Sequence, residues 1–242
     1  MARKLDTIDP FSWPPSHGSG RVDRLRWHLS RHRRRTPAWL IGLGIGPAGL
    51  LVLLALGQER IDTLVLTGDI FSLASVPFYS GLLSNLGVFL WCAAAAVSLF
   101  VATLTVGRPE LRRFRHLLFA FGMLSALFML DDFFTLHENV LPYFLGVPEE
   151  VSVPVYGALM LAAVLVFLPE LRDVGPALLI AAMGCFALSI GADVMEYLTP
   201  ARWPRVMDAM AKFVGISAWT TFVVRCAWLV AQAGRGRMPG LL

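Results

Sequence analysis

Six blocks of about twenty residues that are apolar on every side, at 38–57, 81–106, 114–136, 151–168, 175–198 and 209–233, constrain this chain more than any other feature. A helix rises ~1.5 Å per residue, so each block is long enough to cross a ~30 Å hydrocarbon core. Lipid offers the backbone no hydrogen bonds, and a helix satisfies its own N–H and C=O groups within the segment. A soluble bundle would instead show an apolar stripe opposite a charged face. The predicted fold class is all-α: a polytopic membrane helical bundle with about six transmembrane helices. Composition agrees, because 56% hydrophobic residues and a mean hydropathy of +0.64 exceed what an ordinary soluble domain carries.

The blocks divide the chain into a basic N-terminal segment 1–37, a transmembrane domain 38–233 and a short tail 234–242. Arg21, Arg24, Arg26, Arg31, Arg33, Arg34 and Arg35 are followed by no apolar stretch that ends in a small-residue cleavage site, so the segment reads as retained rather than as a removable signal. Alternating loops place Arg108, Arg112, Arg113, Arg115, Arg172, Arg235 and Arg237 on the same side as that segment, and leave Arg60, Arg202 and Arg205 on the other. The asymmetry predicts both termini in the cytoplasm, with the chain in a bacterial-type inner (plasma) membrane. A basic run beside a span touches the bilayer and its anionic lipid, or docks a membrane-protein partner, sooner than it binds nucleic acid. Cys92, Cys185 and Cys226 fall inside spans without metal-ligand or redox spacing. The long outer connection 58–80 carries apolar patches and is expected to lie in the interface or dip into the membrane, where it could act as a lid.

The acids gather on the opposite side from the arginines. The densest group ends the third block, Leu130-Asp131-Asp132-Phe133-Phe134-Thr135-Leu136-His137-Glu138-Asn139. A charge at the centre of a span costs about 2.5–3.5 kcal/mol on insertion scales, so such carboxylates are expected to face a polar cavity. At ~100° per residue Asp131, Thr135 and Glu138 share a helix face, whereas His137 points about 120° away from Asp131 unless the helix unwinds. On the fifth block Ser189, Asp193, Glu196 and Tyr197 share a face. On the sixth Asp208, Lys212, Gly215 and Trp219 do, with Lys212 as counter-charge to the acids. Ser84 and Asn85 add neutral groups on the second.

The expected site therefore has Asp131, Asp132, Glu138 and Asp193 as catalytic carboxylates. Asp131, Asp132, Glu138, Asp193 and Glu196 are candidate ligands, with Asn85, His137, Asp208 and Lys212 in support. Oxygen donors with one imidazole suit a divalent cation such as Mg²⁺, Ca²⁺ or Mn²⁺ better than Zn²⁺. Glu59, Asp62, Glu149 and Glu150 read as solvated helix ends. No His-Glu-x-x-His helix, Glu-x-x-His pair, Gly-x-Ser-x-Gly elbow or Gly-x-x-x-x-Gly-Lys loop occurs. Three functions fit: a metal-dependent membrane hydrolase of a lipid-like substrate, an accessory or sensor subunit of a larger membrane complex, and a proton or cation transporter. The transporter is weakened by inner halves poor in ionisable residues.

Overall fold

The computed structural model describes residues 46–61, 74–77, 79–199 and 201–234, and these are helical, with no strand among them. The elements are α1 (Gly46–Gly57), α2 (Leu82–Leu104), a 3₁₀ turn (Pro109–Leu111), α3 (Arg112–Phe134), a π-helical segment (Leu136–Leu145), α4 (Glu149–Val166), α5 (Leu168–Val174), α6 (Ala177–Leu198) and α7 (Trp203–Ala233). Five stretches are long and apolar enough to cross a membrane: Leu82–Leu104, Pro109–Phe134, Glu149–Val166, Ala177–Glu196 and Trp203–Ala233. They match the last five predicted blocks. The last starts earlier than residue 209 because Pro204 occupies its first turn, where a missing N–H leaves no helix bond unmade.

The chain divides into two compact units, 1–78 and 79–242. In the first, α1 covers the end of block 38–57 and turns Val52, Leu53, Leu54 and Leu56 outward. Residues 38–45, the basic segment 1–37, the centre of the expected lid at 62–73 with Asp62 and Asp69, and the tail from 235 lie outside the described residues.

In the second unit α7 packs on α6 and α2, and α2 packs on α3. Phe121, Trp219 and Phe222 are fully buried between them. A column of rings fills the space between these helices: Trp91 meets Trp219 at 6.1 Å, Trp219 stacks on Phe121 at 4.9 Å, and Phe121 meets Phe222 at 6.3 Å. Large apolar side chains such as Phe89, Phe100, Phe119, Ile180 and Trp228 point outward, as suits helices surrounded by lipid.

Lipid tails are as apolar as the helices, so close packing around small residues is what holds such helices together. A Cβ on Gly215 would lie 2.8 Å from the Phe186 ring and 3.2 Å from the Cys185 Cβ, whereas one on Gly184 would meet nothing within 4 Å. Opposite signs follow for the same substitution. Gly215→Ala overpacks the α6–α7 seam and costs about 1–3 kcal/mol. Gly184→Ala gains up to ~1 kcal/mol of helix propensity. Thermal melts of the two variants check this, and a Gly215→Ala protein as stable as Gly184→Ala would contradict the packing.

The turn before α3, helix α5 and the end of α7 meet at one end of the bundle. Arg113 Nε lies 2.6 Å from Glu170 Oε1, its guanidinium stands 5.9 Å over the Phe167 ring, and the Arg108 guanidinium donates to the Gly234 carbonyl. The carboxylates of interest lie at the opposite ends of the same helices.

Candidate functional site

The site begins where α3 stops. Thr135 takes a left-handed conformation, φ 49° and ψ 48°, which a β-branched residue adopts only when its surroundings hold it there. The chain then widens into the π-helical segment, which contains Pro142. This reversal swings residue 137 back over the helix it has left.

The His137 backbone N–H donates to Asp131 Oδ1 at 3.0 Å, and the His137 Nδ1 lies 2.5 Å from Asp131 Oδ2. The Tyr156 hydroxyl of α4 donates to the same Asp131 Oδ1 at 3.1 Å. The expectation that His137 points away from Asp131 is corrected, since the left-handed residue breaks the regular 100° progression on which it rested. Asp131 is 3% exposed. An ionised carboxylate only accepts, so Nδ1 carries the proton. Nε2 then faces Glu138 Oε1 at 3.7 Å and Glu149 Oε1 at 3.8 Å, too far for direct hydrogen bonds.

The neighbouring carboxylate is bound separately. Asp132 Oδ1 lies 2.7 Å from Lys212 Nζ, and Asp132 Oδ2 accepts from Trp91 Nε1 at 2.9 Å. Lys212 is the expected counter-charge, directed to one acid of the group. Asp208 accepts a 2.5 Å hydrogen bond from the Ser189 hydroxyl.

These groups line a cavity of about 210 Å³ whose walls include the rings of Trp91, Phe128, Tyr156 and Phe186. Asp131, Asp132, Glu138, Asp193, Asp208 and Lys212 line it, and so does His137, which was expected to point away. Asn85 and Glu196 do not. Asn85 is exposed on the first turn of α2, and Glu196 is drawn to the Arg205 guanidinium. Glu149, read as a solvated helix end, lines the cavity because α4 begins beside His137. Tyr156 and Trp91 went unnoticed as site residues. The available signal was their depth: a Tyr or Trp well inside an apolar block needs a partner for its O–H or N–H.

Among the described residues, no group of three or more His, Cys, Asp or Glu side chains is placed to hold a metal ion. The expected divalent site through Asp131, Asp132, Glu138, Asp193 and Glu196 is thus not supported. Asp131 is engaged by His137 and Tyr156, Asp132 by Lys212 and Trp91, and Glu196 by Arg205.

The hydrogen bond to Asp131 raises the His137 pKa above its ordinary 6.5; burial opposes it, the charges of Asp131 and Glu138 assist, and Lys212 opposes. A raised folded value means the pair contributes stability below pH 6.5 and loses it as pH climbs through the folded value. Glu138, Glu149 and Lys212 also face the ring, so the contribution is isolated by comparison with His137→Gln. The gap in melting temperature between the native protein and that variant is expected to shrink from pH 6 towards pH 9, within the range where an imidazole pKa moves. A gap that is flat or widens would show that the two are not coupled.

Residues 40–226, most of the chain, match a family described as Domain of unknown function (DUF8692). No curated protein and no solved structure matches the chain.

Proposed function

We propose that this chain, which belongs to that family of unknown function, is a membrane-embedded acid–base enzyme, a hydrolase of a lipid-like substrate in which His137 Nε2 is the proton-transfer atom. One observation carries the reading. A buried carboxylate, Asp131, holds the ring through Nδ1 and the backbone N–H, and leaves Nε2 turned into the cavity between Glu138 and Glu149. That is the requirement for a general base: a fixed tautomer, a fixed ring, and an unprotonated nitrogen facing the reacting atom. Nε2 takes the proton of a water or substrate hydroxyl as it attacks, and Asp131, Glu138 and Glu149 stabilise the imidazolium that results. Nε2 then returns the proton to the leaving group. The site uses this chain's own carboxylates and imidazole rather than a divalent ion.

The reading includes a placement. Six spans, with segment 1–37 and tail 234–242 in the cytoplasm of a bacterial-type inner membrane, set the cavity at the outer face. The gathering of Arg108, Arg113 and Arg172 turns at the opposite end supports it, since basic residues favour the cytoplasmic side. Segment 1–37 then rests on anionic lipid.

The full-length protein in phosphatidylcholine nanodiscs is assayed against long-chain acyl esters and amides as a function of pH. Wild type turns over at least one, and His137→Gln lowers its kcat/KM about 10²–10⁴-fold, the usual contribution of a positioned acid–base group. No turnover above buffer across the panel, or equal rates with His137→Gln, refutes the proposal.

A further inference from the structure

Two residues that line the cavity come from helices with few contacts to each other. Gly157 of α4 and Ile190 of α6 both line it and both are exposed. A Cβ on Gly157 would meet nothing within 4 Å. The supporting contacts lie elsewhere: α4 is held by the π-helical segment, α3 and α5, whereas α6 packs on α7. The gap between α4 and α6 is therefore a side window. At ~1.5 Å per residue, Gly157 lies about 12 Å along α4 from its first residue, Glu149, a depth occupied by acyl chains.

The charge of the lining is unbalanced. Six carboxylates face the cavity, Asp131, Asp132, Glu138, Glu149, Asp193 and Asp208, against one fixed cation, Lys212, which is committed to Asp132, and one imidazole, His137, which is committed to Asp131. Asp208 is met by a neutral hydroxyl, and Asp193 has no hydrogen-bond or ion-pair partner among the described residues. Beside these acids stand aromatic rings in mutual contact: Trp91 and Phe128 at 5.1 Å, Phe128 and Tyr156 at 5.8 Å, Trp91 and Phe186 at 6.0 Å. Carboxylates with ring faces favour an organic ammonium, which gains from both charge and π density. A bare divalent ion needs converging oxygens instead. At about 210 Å³ the cavity is smaller than the ~300–1,000 Å³ that encloses a whole drug-sized ligand, so it takes a headgroup and leaves a tail outside.

We infer that the cavity receives the cationic amine headgroup of an amphiphile dissolved in the membrane, whose hydrocarbon tail passes between α4 and α6 beside Gly157 and Ile190. This deepens the reading of the same site by naming its substrate class, and its test reads binding rather than turnover.

Radiolabelled dodecylamine is equilibrated with the full-length protein in phosphatidylcholine nanodiscs, and empty nanodiscs give the partition background. Dodecylammonium is expected to bind at one site per chain, at least tenfold tighter than dodecanol or butylammonium. Asp193→Asn with Asp208→Asn weakens it about tenfold or more. Gly157→Trp and, independently, Ile190→Trp weaken dodecylammonium while the circular dichroism and melting temperature stay near wild type. Equal binding of dodecanol overturns the charge selection. Equal binding of butylammonium, or full binding in both tryptophan variants, overturns the side window. Saturable binding that persists in His137→Gln alongside an inactive wild type would leave this inference standing and remove the enzyme; turnover of uncharged esters without amine binding would do the reverse.

Discussion

Lys212→Met lowers the melting temperature by roughly 6–12 °C, the largest stability effect expected of a single substitution at the site. The reason is Asp132. Its side chain is 8% exposed, and its charge is met by Lys212 at 2.7 Å and by the Trp91 N–H at 2.9 Å. Methionine keeps most of the length of the lysine stem but removes the charge, and stranding one member of a buried pair costs about 3–5 kcal/mol. The lower figure applies because the Lys212 side chain is 38% exposed. At about 2–4 °C per kcal/mol for a chain of this size, the shift follows. A second substitution separates charge from packing. Adding Asp132→Asn to Lys212→Met removes the stranded charge and is expected to restore most of the loss. A double variant as unstable as Lys212→Met alone would mean that Lys212 acts by filling space.

Asp131→Asn is expected to lower kcat/KM about 10²–10⁴-fold while leaving the fold in place. Asparagine has the shape of aspartate and can still accept from the Tyr156 hydroxyl and the His137 backbone N–H. Its amide, however, presents N–H to Nδ1 in place of a carboxylate oxygen. The neutral ring then carries its proton on Nε2, the atom that has to accept one. The limb of the pH–rate profile assigned to His137 should disappear together with the rate. Wild-type turnover in Asp131→Asn would refute the role given to the carboxylate, even if His137→Gln were inactive.

The helices were legible because length and all-round apolarity leave a membrane segment few alternatives, and block 175–198 coincides with α6 within two residues at its start. Helical spacing also brought Asp193, Asp208 and Lys212 to the cavity, since those residues sit on unbroken helix. It failed at His137 and Thr135, where one left-handed residue ends the period on which the argument depended. Glu196 was misplaced for a different reason: face arithmetic identifies neighbours on the same helix, but Arg205 comes from α7 and claims the carboxylate first. The metal expectation finds no support among the described residues for a related reason. Counting carboxylates by face left out Trp91 and Tyr156, whose N–H and O–H groups occupy oxygens that a cation would need.

The ring column from Trp91 through Trp219 and Phe121 to Phe222 has an electrical consequence. On the acid–base reading proposed above, the packed rings offer a proton no polar path along the column, so one released at His137 leaves by the mouth through which it entered. Turnover then draws no current and takes no work from the membrane potential. Proteoliposomes carrying the protein hold an imposed pH gradient as long as empty ones do, during catalysis as well as at rest.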